Sequence, residues 1–221
     1  MKFGVLRFPG SCDEVDAVLA CERVGEAEVI WHGDSELGDV DAIVVPGGFS
    51  YGDYLRVGAI ARFAPAMERV LEFAANGGPV LGICNGFQVL CEAGLLPGAL
   101  LPNESLRFIC RQVDLEVTGN SAWTAECEPG DRLSIPIKHT TGRYFAPAPL
   151  LERVEGEGRV VLRYAPGQNP NGSINDIAAV RNDAGNVVGL MPHPEHAVDP
   201  LTGSADGLKL FESAVGALTT A

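Results

Sequence analysis

"VLGICNGFQVLCEAG", residues 80–94, opens as an apolar run suited to a buried strand. It turns at Cys84-Asn85-Gly86 and continues with apolar residues at helical spacing. Gly82 and Gly86 stand two residues either side of Cys84. A strand that feeds straight into a helix through a residue flanked by glycines has the form of a nucleophile elbow, here with cysteine where hydrolases often carry serine. Such a unit belongs to a parallel sheet with helices on its faces, so this stretch sets the expected fold class. It also raises a chemical question, because a cysteine that merely packs needs no such setting.

Upstream, the same alternation repeats. Residues 2–8 read as a strand, 27–32 as a second and 42–45 as a third, the last apolar throughout, as for a strand covered on both faces. Between the first two, Ser11 with Glu14 has the form of a capping box, and Val15, Val18 and Leu19 are expected to give the helix its apolar face. Helical spacing resumes near Leu55, Pro65 is expected to open a new helix at its first position, and Asn76-Gly77-Gly78 to close it. After Gly98 the texture changes to short β-like runs, among them "SAWTAEC" (residues 121–127), expected as antiparallel strands on one edge. "IAAVRNDAGNVVGLM" (residues 177–191) reads as a hairpin turning at 183–186, and a last helix is expected from about Ala205 to Leu218. The expected architecture is α/β: one domain over residues 1–221, an open, mainly parallel sheet flanked by helices, with added antiparallel strands.

Composition narrows the function. The chain has 221 residues, 46% apolar and 20% charged, enough to bury a large core unaided. A net charge of −13 argues against nucleic acid as a partner, since phosphate binding needs a basic surface. No apolar run approaches the ~20 residues of a membrane span, and the first residues do not form a signal peptide, so a cytoplasmic protein is expected. Six cysteines, at 12, 21, 84, 91, 110 and 127, make no C-x-x-C pair and have no histidine at zinc-ligand spacing, so no metal site is expected. Most are expected as buried thiols.

On the elbow pattern alone, Cys84 is compatible with a core thiol and with a nucleophile; a base is needed to decide. "GLMPHPEHA" (residues 189–197) supplies one. In extended backbone His193 and Glu195 point the same way, imidazole beside carboxylate, which is base and orienter for a nucleophile at Cys84. The plain alternative is a proline-rich turn with its charges in solvent. His32, alone at a strand end, reads as a surface or satisfied histidine. In "VVPGGFSYGDY" (residues 44–54), Gly47-Gly48 can turn an N–H toward the elbow as an oxyanion donor, or be an ordinary turn. Glycine peptides reorient at low cost, so this donor is expected to be loose until a partner fixes it. Gln88, one turn into the elbow helix, either touches a substrate or caps a surface.

With these elements in place, the sequence resembles the class I, triad-type glutamine amidotransferases. The matching pieces are "GICNGFQ" (82–88), "MPHPEHA" (191–197), "FPGS" (8–11), "VPGGFSYGDYLRVGAIA" (45–61), "NESLRFICR" (103–111), "IPIKHTTGRYFAP" (135–147) and "NPNGSINDIAAV" (169–180), spread over nearly the whole chain. The resemblance implies a flavodoxin-like amidotransferase fold and hydrolysis of L-glutamine to glutamate and ammonia through a cysteine thioester. It implies Cys84 as nucleophile, His193 as general base and acid, Glu195 as its orienter, the backbone N–H groups of Gly48 and Asn85 as oxyanion hole, and Gln88 as a glutamine contact. "GGFSYGDYLR" and "NPNGS" with the following Asp176-Ile177-Ala178 point to the branch serving de novo purine synthesis. That branch implies a large ATP-binding synthetase subunit and a small accessory subunit as partners, with ATP and Mg on the synthetase and no cofactor in this chain.

Two departures from the family pattern stand out. "GSCDEVD" (residues 10–16) lacks an asparagine often found between its serine and cysteine; this turn is expected to lie outside the triad. His139 is followed by Thr140-Thr141 where Gly-Glu is common, which bears on contacts with a partner. Rival readings are a cysteine-elbow stress-type protein, a non-catalytic subunit, and a glutaminase feeding another synthase.

Overall fold

A computed structural model describes residues 1–219. The elbow strand, β4 (Val80–Ile83), lies in the middle of a nine-stranded sheet, and the other strands are placed by their relation to it. β1 (Lys2–Arg7), β2 (Glu26–Trp31), β3 (Ala42–Val45), β4 and β11 (Val187–Leu190) run parallel in the order β2-β1-β3-β4-β11. β3, β4 and β11 are buried at every position, as expected for strands covered on both faces. The antiparallel strands β10 (Ile177–Arg181), β9 (Val160–Tyr164), β6 (Ile109–Val117) and β7 (Arg132–His139) then extend the β11 edge in that order. The burial of β7 alternates residue by residue, so one of its faces is covered and the other is wetter. A separate ribbon pairs β5 (Ala99–Pro102) with β8 (Thr141–Phe145).

The helices are α1 (Glu14–Cys21), α2 (Pro65–Ala75), α3 (Asn85–Glu92), α4 (Ala148–Gly156) and α5 (Leu208–Thr219). α2 begins with Pro65 at its first position, whose missing N–H costs nothing there. It ends where Gly77 takes φ +89° and the Gly78 N–H returns to the Phe73 carbonyl. α3 follows β4 with no intervening loop.

Several sequence expectations are corrected. Ser11 does not cap α1; its hydroxyl accepts the Phe8 N–H at 2.9 Å, and Asp13 is the cap position, without a side-chain cap bond. Its buried face is Glu14, Ala17, Ala20 and Cys21. Val15 and Leu19 are 61% and 54% exposed. Small residues let α1 lie close on the sheet, a demand that a search for large apolar residues misses. No α-helix forms near Leu55, which has φ +68° and is 93% exposed; the chain there makes turns and a short 3-10 segment, residues 61–63. "SAWTAEC" is no strand. Ser121 bonds Thr124 side chain to side chain, and Trp123 is swallowed edge-on against Phe211 of α5. The β5–β8 ribbon and α4 add to the expected elements, and α5 starts at Leu208 instead of near Ala205.

Candidate active site

Cys84 sits between β4 and α3 with φ +50° and ψ −103°, a conformation costly for any residue with a Cβ. Packing holds it there. A Cβ on Gly86 would drive into the Val45 carbonyl of β3, and one on Gly82 would lie 2.8 Å from the Gly86 carbonyl carbon, so both glycines are needed for the chain to pass itself. The Cys84 N–H donates to the Leu190 carbonyl at 2.8 Å, tying the elbow to β11. Behind the sulfur, the Asn85 N–H belongs to the first turn of α3, where no intrahelical acceptor serves it. The thiol is nearly buried and lies 3.9 Å from the Lys138 carbonyl.

β11 also carries the histidine expected as base. Three residues past its end, the His193 N–H donates to the Pro136 carbonyl of β7 at 2.8 Å, and the side chain is fully buried. Its Nδ1 meets Glu195 Oε1 at 2.6 Å. The expected pairing is present, but its backbone reason is different: Pro194–His196 is a 3-10 turn, which brings the two side chains together by curling instead of by extended alternation. With Nδ1 committed to Glu195, Nε2 is the nitrogen left for Cys84; it is buried and has no hydrogen-bond partner among the described residues. Burial pulls the His193 pKa down, yet the Glu195 carboxylate and the Cys84 sulfur push it up to about 10.

The turn "GSCDEVD", expected outside the triad, supplies none of its three members but packs against them. Asp13 is buried and its Oδ2 lies 3.7 Å from His193 Nδ1. Its Oδ1 accepts from the Lys138 ammonium and pairs with His196 Nε2 at 3.3 Å. Burial alone would raise its carboxyl, but His196, His193 and Lys138 hold it well below the usual carboxylate range. The reason is topological. The chain order reverses between β1 and β3, and in such sheets the loops leaving adjacent strand ends on either side of the switch form the crevice. The loops after β1, β3, β4 and β11 therefore meet, bringing Asp13, Gly48, Cys84 and His193 together. Asp13, His193, Glu195 and His196 offer metal-ligand atoms within 4.8 Å of one another, but they are already paired among themselves, and the cation seated on Asp13 is Lys138.

The Gly47-Gly48 peptide has a defined direction in this structure. The Gly47 carbonyl accepts the N–H groups of Cys12 and Asp13 at 3.2 and 3.3 Å. Because a trans peptide points its N–H opposite its C=O, these two bonds aim the Gly48 N–H away from the Cys12 turn. Gly48 has φ +146°, and a Cβ there would lie 2.7 Å from the Cys12 nitrogen and the Gly10 oxygen. Two residues on, the Ser50 N–H donates to Asn85 Oδ1 at 3.1 Å, linking this loop to the elbow helix.

Cys84, Gly48, Gln88, Asp13 and His139 line one cavity. Gln88 faces it with its amide already engaged: Nε2 donates to the Thr141 carbonyl at 2.5 Å and Oε1 accepts from Asn85 at 2.9 Å. His139 is buried against Asn103, and burial, with the charge on His193, pushes its pKa down to about 4. His32 is satisfied by the Tyr51 hydroxyl at 2.7 Å. Of the cysteines outside the elbow, Cys12 and Cys110 are exposed instead of buried. Burial and the Asp13 charge push the Cys12 thiol up, which opposes the reactive anion.

Residues 1–215 match the model of the CobB/CobQ-like glutamine amidotransferase domain. The chain belongs to this amidotransferase family. A phosphoribosylformylglycinamidine synthase subunit PurQ from Mycobacterium tuberculosis is 60% identical over 223 residues, covering 99% of this chain and 98% of that protein. The protein of the same name from Rubrobacter xylanophilus is 58% identical, covering 96% and 97%. A chain in the solved structure of PurLQS from Thermotoga maritima superposes with a TM-score of 0.90 at 45% identity, covering 98% of each. The amidotransferase fold thus accounts for the whole sheet and for the crevice at its carboxyl end.

Proposed function

We propose that this chain is the glutaminase subunit of a phosphoribosylformylglycinamidine synthase, acting in purine biosynthesis as a single glutaminase domain. The observation that carries the chemistry is the meeting of an elbow cysteine with a buried His193–Glu195 pair whose second ring nitrogen is unspent. The identity of 58–60% to synthase subunits over almost the full chain supports the choice of synthase.

His193 Nε2 takes the thiol proton and Cys84 attacks the γ-amide carbon of L-glutamine. The oxyanion is received by the N–H groups of Gly48 and Asn85, one held by the Gly47 carbonyl bonds and the other by the helix start. Glu195 fixes the ring and balances its charge. His193 returns the proton to the departing ammonia, then activates the water that cleaves the γ-glutamyl thioester to glutamate. The partner is an ATP-binding synthetase subunit, with a small accessory subunit in the same complex. ATP and Mg belong to the synthetase, which uses the ammonia on formylglycinamide ribotide. We place the complex in the cytoplasm; no described helix is long and apolar enough to cross a membrane.

The test is a coupled assay of this chain with the synthetase of the same organism, ATP, Mg and formylglycinamide ribotide. Glutamate and formylglycinamidine ribotide should form in equal amounts, and Cys84→Ala should abolish glutamine use while free ammonia still supports product. Glutamine use that survives Cys84→Ala would refute the reading.

A further inference from the structure

One carboxylate of the cavity has no work in the chemistry above. Asp53 lines it together with Cys84, Gly48 and Gln88. Its Oδ1 is shut off from solvent and has no hydrogen-bond partner among the described residues. Nor does a lysine or arginine among the described residues pair with it. Lys138 is seated on Asp13, and Arg56 is bound bidentate to Glu92 at 2.6 Å. An unpaired carboxylate half taken from water is a costly arrangement, and burial pushes its pKa up accordingly. The backbone adds to the cost. Tyr51, Gly52, Asp53 and Leu55 all take positive φ, three of them without glycine's freedom. Strain of this kind persists at sites where the side chain's direction matters.

We propose that Asp53 receives the α-ammonium of the glutamine substrate, an assignment that rests on the glutaminase reading of the same cavity. Cys84 takes the γ-amide end, so the charged α-amino end must be met by another part of the cavity wall. Of the two carboxylates that line the cavity, Asp13 already holds the Lys138 ammonium and the His196 ring, and Asp53 holds no side-chain partner among the described residues. Gln88 is neutral and already holds a protein partner at each end of its amide, so it offers an ammonium no countercharge. The substrate's own charge then completes the site: the loop carries an open position for a cation, and glutamine brings one. Asp53 is on this account a specificity residue, touching substrate far from the reacting carbon.

The experiment compares L-glutamine with glutaramate, the same γ-amide without the α-amino group, using this chain in complex with its synthetase. Asn at position 53 keeps the size of the side chain and tolerates φ +56°, so the loop is preserved. Asp53→Asn should cut the preference for L-glutamine over glutaramate, measured as the ratio of kcat/KM values, by about 10–150-fold, the span for loss of a charged hydrogen bond. The loss should appear mainly in KM for L-glutamine. An equal fall on both amides would show a merely structural role and overturn the assignment. So would an unchanged preference, while leaving the glutaminase reading intact. A wild-type complex that hydrolyses neither amide would overturn both.

Discussion

Replacing Asp13 by Asn tests whether the first turn belongs to the site. The substitution keeps shape and acceptor oxygen but removes the charge that holds the Lys138 ammonium and pairs with His196. Breaking one partner of a buried ion pair costs ~3–5 kcal/mol, because the other charge is stranded. The Lys138 side chain is 32% exposed, so solvent recovers part of this and we expect about 2–3 kcal/mol. The stranded charge can be removed as well. Lys138→Met in the Asp13→Asn background should cost less than the sum of the two single changes, with a coupling of about 1–2 kcal/mol. The assay is urea unfolding of the four proteins at pH 7. Because the Asp13 carboxyl is held below its unfolded value near 3.8, its contribution is fully present above that pH and is lost as pH falls below it. The gap between wild type and Asp13→Asn should therefore stay level from pH 8 to about 5. Additive single changes, or a gap that grows on acidification, would refute the reasoning.

Other outcomes follow from the same geometry. Cys84→Ala and His193→Ala should each lower glutaminase kcat by about 10⁴–10⁶, Glu195→Ala by about 10²–10⁴, since Glu195 acts through the ring, and His196→Ala by roughly tenfold or less, all read as glutamate release by the complex. Gly86→Ala should lower stability by more than ~3 kcal/mol or abolish soluble protein, because the new Cβ meets the Val45 carbonyl and neither backbone can yield, as urea midpoints would show. His139, whose pKa is pushed down to about 4, favours the neutral form when folded. Its contribution is complete above the unfolded value near 6.5 and is lost as pH falls toward 4, amounting to about 3 kcal/mol, so His139→Gln should flatten the urea midpoint between those pH values.

The local geometry legible in the sequence is that built from neighbours in the chain. The elbow is a local event: two glycines around Cys84, a strand before and a helix after. The His193–Glu195 pair is local too, and it forms although the turn that makes it is 3-10 instead of extended. Asp13 is different. Nothing near it in sequence points to chemistry, and it reaches His193 only because the sheet reverses its strand order beside β1. The signal was available in principle, since an expected parallel sheet with a switch point places the first βα loop at the crevice. The direction of the Gly47-Gly48 peptide is not legible in the glycines themselves. Bonds from Cys12 and Asp13, again across the switch point, set its direction. The face of α1 was missed for a packing reason: Ala17, Ala20 and Cys21 approach the sheet closely, while the larger Val15 and Leu19 stay outside.

The central claim is that Cys84 is the nucleophile toward glutamine, and a glutamine-shaped diazoketone tests it most directly. Cys12 and Cys110 are exposed and Cys84 is nearly buried, so accessibility alone would favour the wrong thiols. Peptide mapping after limited reaction with the complex should find the label on Cys84 alone, with L-glutamine protecting it and His193→Ala suppressing it. Label on Cys12 or Cys110 with Cys84 unmodified would contradict the account.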